Sequence, residues 1–227
     1  MIAVAVDGPA GAGKSTIARR VARELGFVYV DTGALYRAIG LLMLRQGIDP
    51  SDPQKVVPAL SKAKISLSFR GGKQRVILCG RDVTPQIRTE KVSMAASRVS
   101  AIPQVRRFLF SLQREIAEKR NVVMDGRDIG TVVLPHAQVK IFLTASPEER
   151  ARRRYRELLA KGQEPEYEEV LRDLRARDFN DTHRTVAPLV PARDAVVVDT
   201  TGNTLEQSVG KLAGIIRERL SKIHETR

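Results

Sequence analysis

The chain has a single cysteine, Cys79, among 227 residues. No disulfide can form within it, which fits a reducing, cytoplasmic setting. Tryptophan is absent and aromatics make up 4%, so the core is expected to be aliphatic. No stretch approaches the length of a membrane span. The N-terminus enters an apolar run directly, without the basic segment and long apolar core of a secretory leader. The three histidines show no metal-ligand spacing, and with one cysteine a structural zinc site is not expected. There is no internal repeat and no low-complexity tract, and the length fits one domain carrying insertions. Acidic residues are outnumbered: 26 Asp and Glu face 39 Lys and Arg, a net charge of +13. Such a balance admits nucleic acid, an acidic membrane face or small anionic substrates, or simply a solvated surface. Its distribution narrows the choice. Arginine is concentrated over residues 150–184, with no basic tail and no interleaving of basic and aromatic residues. That favours local phosphate handling over a polynucleotide groove.

Against these absences one stretch stands out. Residues 8–16 read GPAGAGKST and match G-x-x-x-x-G-K-[ST] without a gap. An apolar strand-like run, residues 2–6, precedes them, and Ile17, Val21 and Leu25 follow at helical spacing. Strand, glycine loop and helix together make this pattern a P-loop. Gly8, Gly11 and Gly13 let backbone N–H groups approach phosphate, with Pro9, Ala10, Ala12 and Thr16 completing the loop. Lys14 is placed to reach the β- and γ-phosphates of a nucleoside triphosphate, and the Ser15 hydroxyl to hold Mg2+.

The remainder alternates buried strands with helices. Strands are expected at 27–30, 122–124, 139–145 and 195–201, and helices after Gly33, after Ser146, at 166–180 and at 204–220. A Pro-rich connector leads to a short helix at 56–63. Residues 65–69 and 75–80 flank a Gly71-Gly72 turn and read as a small antiparallel insert. Residues 86–119 return to helix. This pattern predicts an α/β fold with a parallel sheet covered on both faces, whose ligands bind at the carboxyl ends of the strands. Gly8, Asp31 and Asp125 lie just past such ends, so one crevice is expected.

Three further stretches carry more polarity than a scaffold needs. In DTGALYR, residues 31–37, Thr32 sits at a strand exit, with Tyr36 and Arg37 on the helix that follows. Arg37 suits a bidentate phosphate contact and Tyr36 a base or phosphate pocket, but a capped amphipathic helix with an exposed arginine explains the pattern equally well. In DGRDIGT, residues 125–131, a buried strand delivers two carboxylates and an arginine between glycines. Asp125 suits support of Mg2+ or its waters, Arg127 a phosphate clamp, and Asp128 acceptance from a base amino group; a surface turn is the alternative. Lastly, Arg150, Arg153, Arg154 and Arg156 precede a break at Gly162, and Arg177, Asp181 and Arg184 follow it. Two helices so joined can close arginines over a transferring phosphoryl group. Most of these arginines are better explained as a solvated face paired with nearby glutamates, and only two or three are expected to touch phosphate.

GPAGAGKST, DTGALYR, IRT (residues 87–89), DGRDIGT and RARDFND (residues 175–181), in this order and spanning nearly the whole chain, resemble the bacterial cytidylate kinases. The resemblance implies a P-loop NTPase fold with a five-stranded parallel sheet. It also implies a nucleoside-monophosphate-binding part with the antiparallel insert (about 32–119) and a short helical lid (about 148–184). The core would then comprise about 1–31, 120–147 and 185–220 of a single 1–227 domain. The implied reaction moves the γ-phosphoryl group of ATP to CMP or dCMP. Thr32, Tyr36, Arg37 and Arg88 then match the monophosphate site, and Ser97, Arg106 and Asp128 the positions that recognise cytosine. Arg127 matches a ligand of the acceptor phosphate; Arg177, Asp181 and Arg184 approach phosphates and the acceptor ribose. Arg150 and Arg154 are assigned to the ATP side, and Lys14, Arg127, Arg154 and Arg177 to catalysis. Two departures are mild: Thr32 stands where some relatives have serine, and Ser15 offers a hydroxyl where some have glycine. ATP and CMP or dCMP are the expected partners, with no nucleic acid and no membrane, and the resemblance implies a monomer. Other P-loop kinases acting on UMP, AMP or shikimate, and an ATP-regulated nucleic-acid binder, are the rival readings. No NKxD-like run follows a strand, which argues against a GTPase switch.

Overall fold

Five buried residues in a row make β1 (Ala3–Asp7) a central strand covered on both faces. The computed structural model describes residues 1–225; residues 226 and 227, included in the expected single domain, lie outside the described residues, as does the side chain of residue 224. After β1 come α1 (Lys14–Leu25), β2 (Val28–Asp31), α2 (Gly33–Arg45) and α3 (Pro53–Ala59). A small sheet of β3 (Ile65–Arg70), β4 (Lys73–Leu78) and β5 (Arg81–Asp82) follows, then α4 (Glu90–Ser100) and α5 (Pro103–Lys119). The chain closes with β6 (Val122–Asp125), β7 (Val139–Thr144), α6 (Pro147–Leu159), α7 (Tyr167–His183), β8 (Val196–Asp199) and α8 (Leu205–Glu225).

The five-stranded sheet has the order β2-β6-β1-β7-β8, and the separate three-stranded sheet the order β3-β4-β5. β1 pairs in parallel with β6 and with β7, and β7 in parallel with β8, in keeping with β1 and β6 being buried at every position. The insert is antiparallel throughout, with Arg70 opposite Lys73 across the Gly71-Gly72 turn.

The chain divides into two compact units: the first is Val28–Asn121 with Met1, the second Ile2–Phe27 with the chain from Val122. In the first unit α2 and α4 pack at Gly40, where an added Cβ would lie 2.9 Å from the Ala96 nitrogen, so only glycine permits the approach. Leu35, Ile39, Met43, Ile87 and Leu109 fill its aliphatic core. In the second unit Val4, Val6, Ile141, Leu143, Val198 and Leu212 are buried, and Ala151, Leu171 and Leu174 form a separate small cluster under α6 and α7.

Differences from the sequence expectations are local. The helical stretch 86–119 is three pieces: a 3-10 turn at Gln86–Arg88, then α4 and α5. Thr89 caps α4 by accepting from the Val92 N–H, and Pro103 starts α5. The helix expected at 56–63 begins earlier because Asp52 caps it and Pro53 opens it, and it ends in a 3-10 turn. The helix expected after Ser146 is capped by that residue, its Oγ accepting from the Glu149 N–H at 3.2 Å. Among the described residues, no helix is long and apolar enough to cross a membrane.

Candidate active site

The phosphate loop is shaped by contacts that only its sequence allows. Gly8 has φ 147°, and a Cβ there would lie 1.9 Å from the Leu143 carbonyl oxygen, so the loop leaves β1 hard against β7. Gly13, left-handed at φ 84°, starts α1; no side chain caps that helix and its first turn holds no acidic residue. The positive end of the helix dipole therefore faces the loop without a built-in counter-charge. Lys14 is 6% exposed and its Nζ donates to the Pro9 carbonyl at 2.7 Å. Burial first, then the neighbouring Arg127, hold its pKa well below the usual lysine value, against the pull of Asp125, Asp181 and Asp7. Ala12 is buried, Thr16 exposed.

The end of β6 meets this loop. The Ser15 hydroxyl donates to Asp125 Oδ2 at 2.7 Å. Two residues on, Arg127 Nε donates to Asp181 Oδ2 at 2.8 Å. Burial works against both charges, yet the pairing prevails. Arg127 is raised above its ordinary value, chiefly by Asp181, and Asp181 is held below the usual carboxylate range by Arg127, with Arg177 and Arg184 adding to it. Asp128 is buried, with Arg184 Nη2 3.7 Å from its Oδ1. Arg184 ends α7 and donates from Nε to the Ala187 carbonyl. One stretch of this unit thus gathers Lys14, Ser15, Asp125, Arg127, Asp128, Asp181 and Arg184, with the field of Arg177 felt at Asp181.

The arginines of α6 differ in what they do. Arg150 is almost fully buried and spans three elements: Nε donates to the Ala145 carbonyl at 2.8 Å and Nη1 to the Ala10 carbonyl at 3.0 Å. Its Nη2 lies 2.6 Å from Asp178 Oδ2 on α7. Arg150 therefore touches the phosphate loop through backbone. Arg153 bonds Glu149 and both oxygens of Thr200, while Arg154, half-buried, pairs with Glu157.

The other unit builds its own cluster around Asp31 at the end of β2. Asp31 Oδ2 accepts from Arg37 Nη2 at 2.7 Å and from Arg88 Nη2 at 3.2 Å, and Oδ1 accepts from the Ala34 N–H at 3.0 Å. Asp31, not Thr32, thus supplies the side-chain cap of α2. Burial raises its pKa, but Arg37 and Arg88 outweigh this and hold it below the usual carboxylate value. Gln74 of β4 brackets the same residue, accepting from its N–H at 2.9 Å and donating to its carbonyl at 3.1 Å. The small sheet therefore positions this cluster. Thr32 and Tyr36 are buried beside it. Arg106, 2% exposed, lies over the Tyr36 ring at 5.5 Å and donates to the Ser100 carbonyl at 3.2 Å, while Ser97 on α4 is half-buried. Arg88 keeps half of its side chain exposed.

Two contributors escape a reading of the sequence. Gln74 has no local signature, since its partner lies on another element. Asp7 accepts from the Ile129 and Gly130 N–H groups at 2.8 and 2.7 Å. Burial raises its pKa to about 6. The available sign was a lone acidic residue closing an apolar run directly before the glycine loop.

Comparison with known proteins agrees with this chemistry. A model of the cytidylate kinase family matches residues 4–218. The chain is 54% identical to a cytidylate kinase of Carboxydothermus hydrogenoformans over 213 residues, 94% of this chain and 96% of that protein. It is 52% identical to a cytidylate kinase of Caldanaerobacter subterraneus, covering 96% of this chain and 95% of the relative. Among solved structures, a gluconokinase from Sinorhizobium meliloti superposes with a TM-score of 0.50 at 15% identity, covering 100% of this chain and 98% of that one, a likeness of fold. With the family model spanning almost the whole chain and relatives matching half of its residues, this chain belongs to the cytidylate kinase family.

Proposed function

We propose that this chain catalyses transfer of the γ-phosphoryl group of ATP to CMP or dCMP, as a cytoplasmic monomer in pyrimidine nucleotide metabolism. The observation that carries the reading is that one cytidylate kinase sequence holds both a P-loop and further half-buried arginines held by carboxylates, Arg127 by Asp181 and Arg37 by Asp31. A triphosphate alone needs only the first; a second phosphate needs the rest.

The acceptor nucleophile is a phosphate oxygen, anionic near neutral pH, so no general base is required. Catalysis then rests on positioning and charge neutralisation. Lys14 and the loop N–H groups hold the donor phosphates. Arg127 and Arg37 hold the acceptor phosphate, with Arg88, Arg177 and Arg184 contributing charge and Asp181 orienting the ribose. Ser97, Arg106 and Asp128 read the cytosine edge. Arg154 closes from the ATP side, while Arg150 shapes the loop at Ala10. Residues 148–184 act as the lid and 32–119 as the monophosphate-binding part of a single domain.

Ser15 and Asp125 suit Mg2+. A hydroxyl and a carboxylate in contact offer hard oxygen ligands, and the ion characteristically takes few protein ligands beside phosphate oxygens and waters. Bound there, it would neutralise charge on the donor phosphates.

Arg37 and Arg88 share one carboxylate, so Asp31→Asn should loosen both. KM for CMP is expected to rise about tenfold or more, by the worth of a charge-assisted hydrogen bond, with ATP binding little changed. An unchanged KM for CMP, measured by steady-state kinetics, would remove Asp31 from this role. The function itself is tested by a crystal structure with CMP bound. The reading expects Ser97, Arg106 and Asp128 on the cytosine edge, and fails if the base lies elsewhere.

A further inference from the structure

Strand β1 ends in a carboxylate that phosphate chemistry does not call for. Asp7 is 4% exposed, precedes Gly8 in the chain, and spends both oxygens on the first two N–H groups of the single π-turn Ile129–Val133. That turn follows Asp128 directly. Its two leading N–H groups need acceptors once buried, and one carboxylate serves both. Burying the ion is unfavourable, as the rise of its pKa to about 6 indicates, and Asp128 nearby adds to the rise. Lys14 and the two N–H groups offset this only in part. A neutral apolar residue would spare the ion but leave both N–H groups bare. Asparagine would offer one oxygen and turn its NH2 toward the second N–H. The side chain therefore fixes the π-turn, and with it Asp128, against the strand that launches the phosphate loop.

We propose that Asp7 is a positioning residue for base selection, holding the turn so that the Asp128 carboxylate stays where it accepts from the amino group of cytosine. The proposal rests on the reading of Asp128 given above. Uracil presents a carbonyl at the corresponding position, so displacement of Asp128 should cost CMP more than UMP.

The test is the ratio of kcat/KM for CMP to kcat/KM for UMP at fixed saturating ATP, in wild type and Asp7→Asn. The ratio is expected to fall about tenfold in the variant, the worth of one charge-assisted hydrogen bond. Effects that pass through Lys14 and ATP are common to both acceptors and cancel in the ratio. Gly130→Ala perturbs the same turn while leaving Asp7 in place. Its Cβ would lie 3.2 Å from Lys140 Cδ and 3.4 Å from Asp7 Oδ2. A smaller fall, about threefold, is expected there, in keeping with a tight contact that a flexible lysine partly relieves. An unchanged ratio in folded Asp7→Asn overturns the proposal; if that variant does not fold, an unchanged ratio in Gly130→Ala does so. A wild type that phosphorylates neither nucleotide instead overturns the cytidylate kinase reading, and this inference with it.

Discussion

Replacing Lys14 by alanine is expected to lower turnover with ATP and CMP by about a thousandfold or more, the scale of removing a preorganised charge from a transferring group. Lys14 is buried, and its Nζ donates to the Pro9 carbonyl. Burial and Arg127 disfavour its charged form, while Asp7, Asp125 and Asp181 favour it. A triphosphate would add negative charge at the same place and strengthen the hold on the proton. The fold should survive, because the loop's course depends on Gly8 against Leu143 and on Gly13 at the start of α1, neither of which involves the lysine side chain. Circular dichroism should therefore match wild type while ADP formation collapses. A near-normal rate would remove Lys14 from catalysis.

Arg127→Ala should be comparably damaging, by about a hundredfold or more in turnover, through loss of the charge that clamps a transferring phosphate. Its structural consequence differs. Asp181 loses the strongest influence holding its pKa down, and burial then drives that pKa upward. Stability should fall as well, since a buried carboxylate is left short of its partner. The double variant Arg127→Ala with Asp181→Asn separates the two effects. Removing the stranded charge should recover much of the stability, read by urea denaturation, and none of the turnover. Arg127→Lys should rescue poorly, because a lysine cannot reproduce the planar fork. Recovery of turnover in the double variant would show that Arg127 serves only to neutralise Asp181.

Features encoded within a few residues were legible in the sequence. The P-loop is one such feature, since its glycines, lysine and flanking apolar runs are consecutive. The Ser146 cap and the Gly71-Gly72 hairpin are others, each specified by adjacent residues. What was not legible depends on partners distant in the chain. Asp7 and Ile129 are 122 positions apart, and Arg150 and Ala10 are 140 apart. In sequence Arg150 is one of several similar arginines on α6; burial and three separate acceptors distinguish it from Arg154, which is half-buried and pairs with Glu157. Asp31 could be read as a helix cap, but its pairing with Arg88 depends on the insert folding back through Gln74. Base-reading residues are the least legible of all: Ser97 and Arg106 carry no local pattern, and only family resemblance singles them out.

The most direct measurement is the rate of ADP formation from ATP and Mg2+ across a panel of acceptors: CMP, dCMP, UMP, AMP and shikimate. CMP and dCMP should be the preferred acceptors, with UMP weaker and AMP and shikimate at background. Preference for AMP or shikimate, or ATP hydrolysis indifferent to every acceptor, would contradict the assignment of this site to cytidine monophosphates.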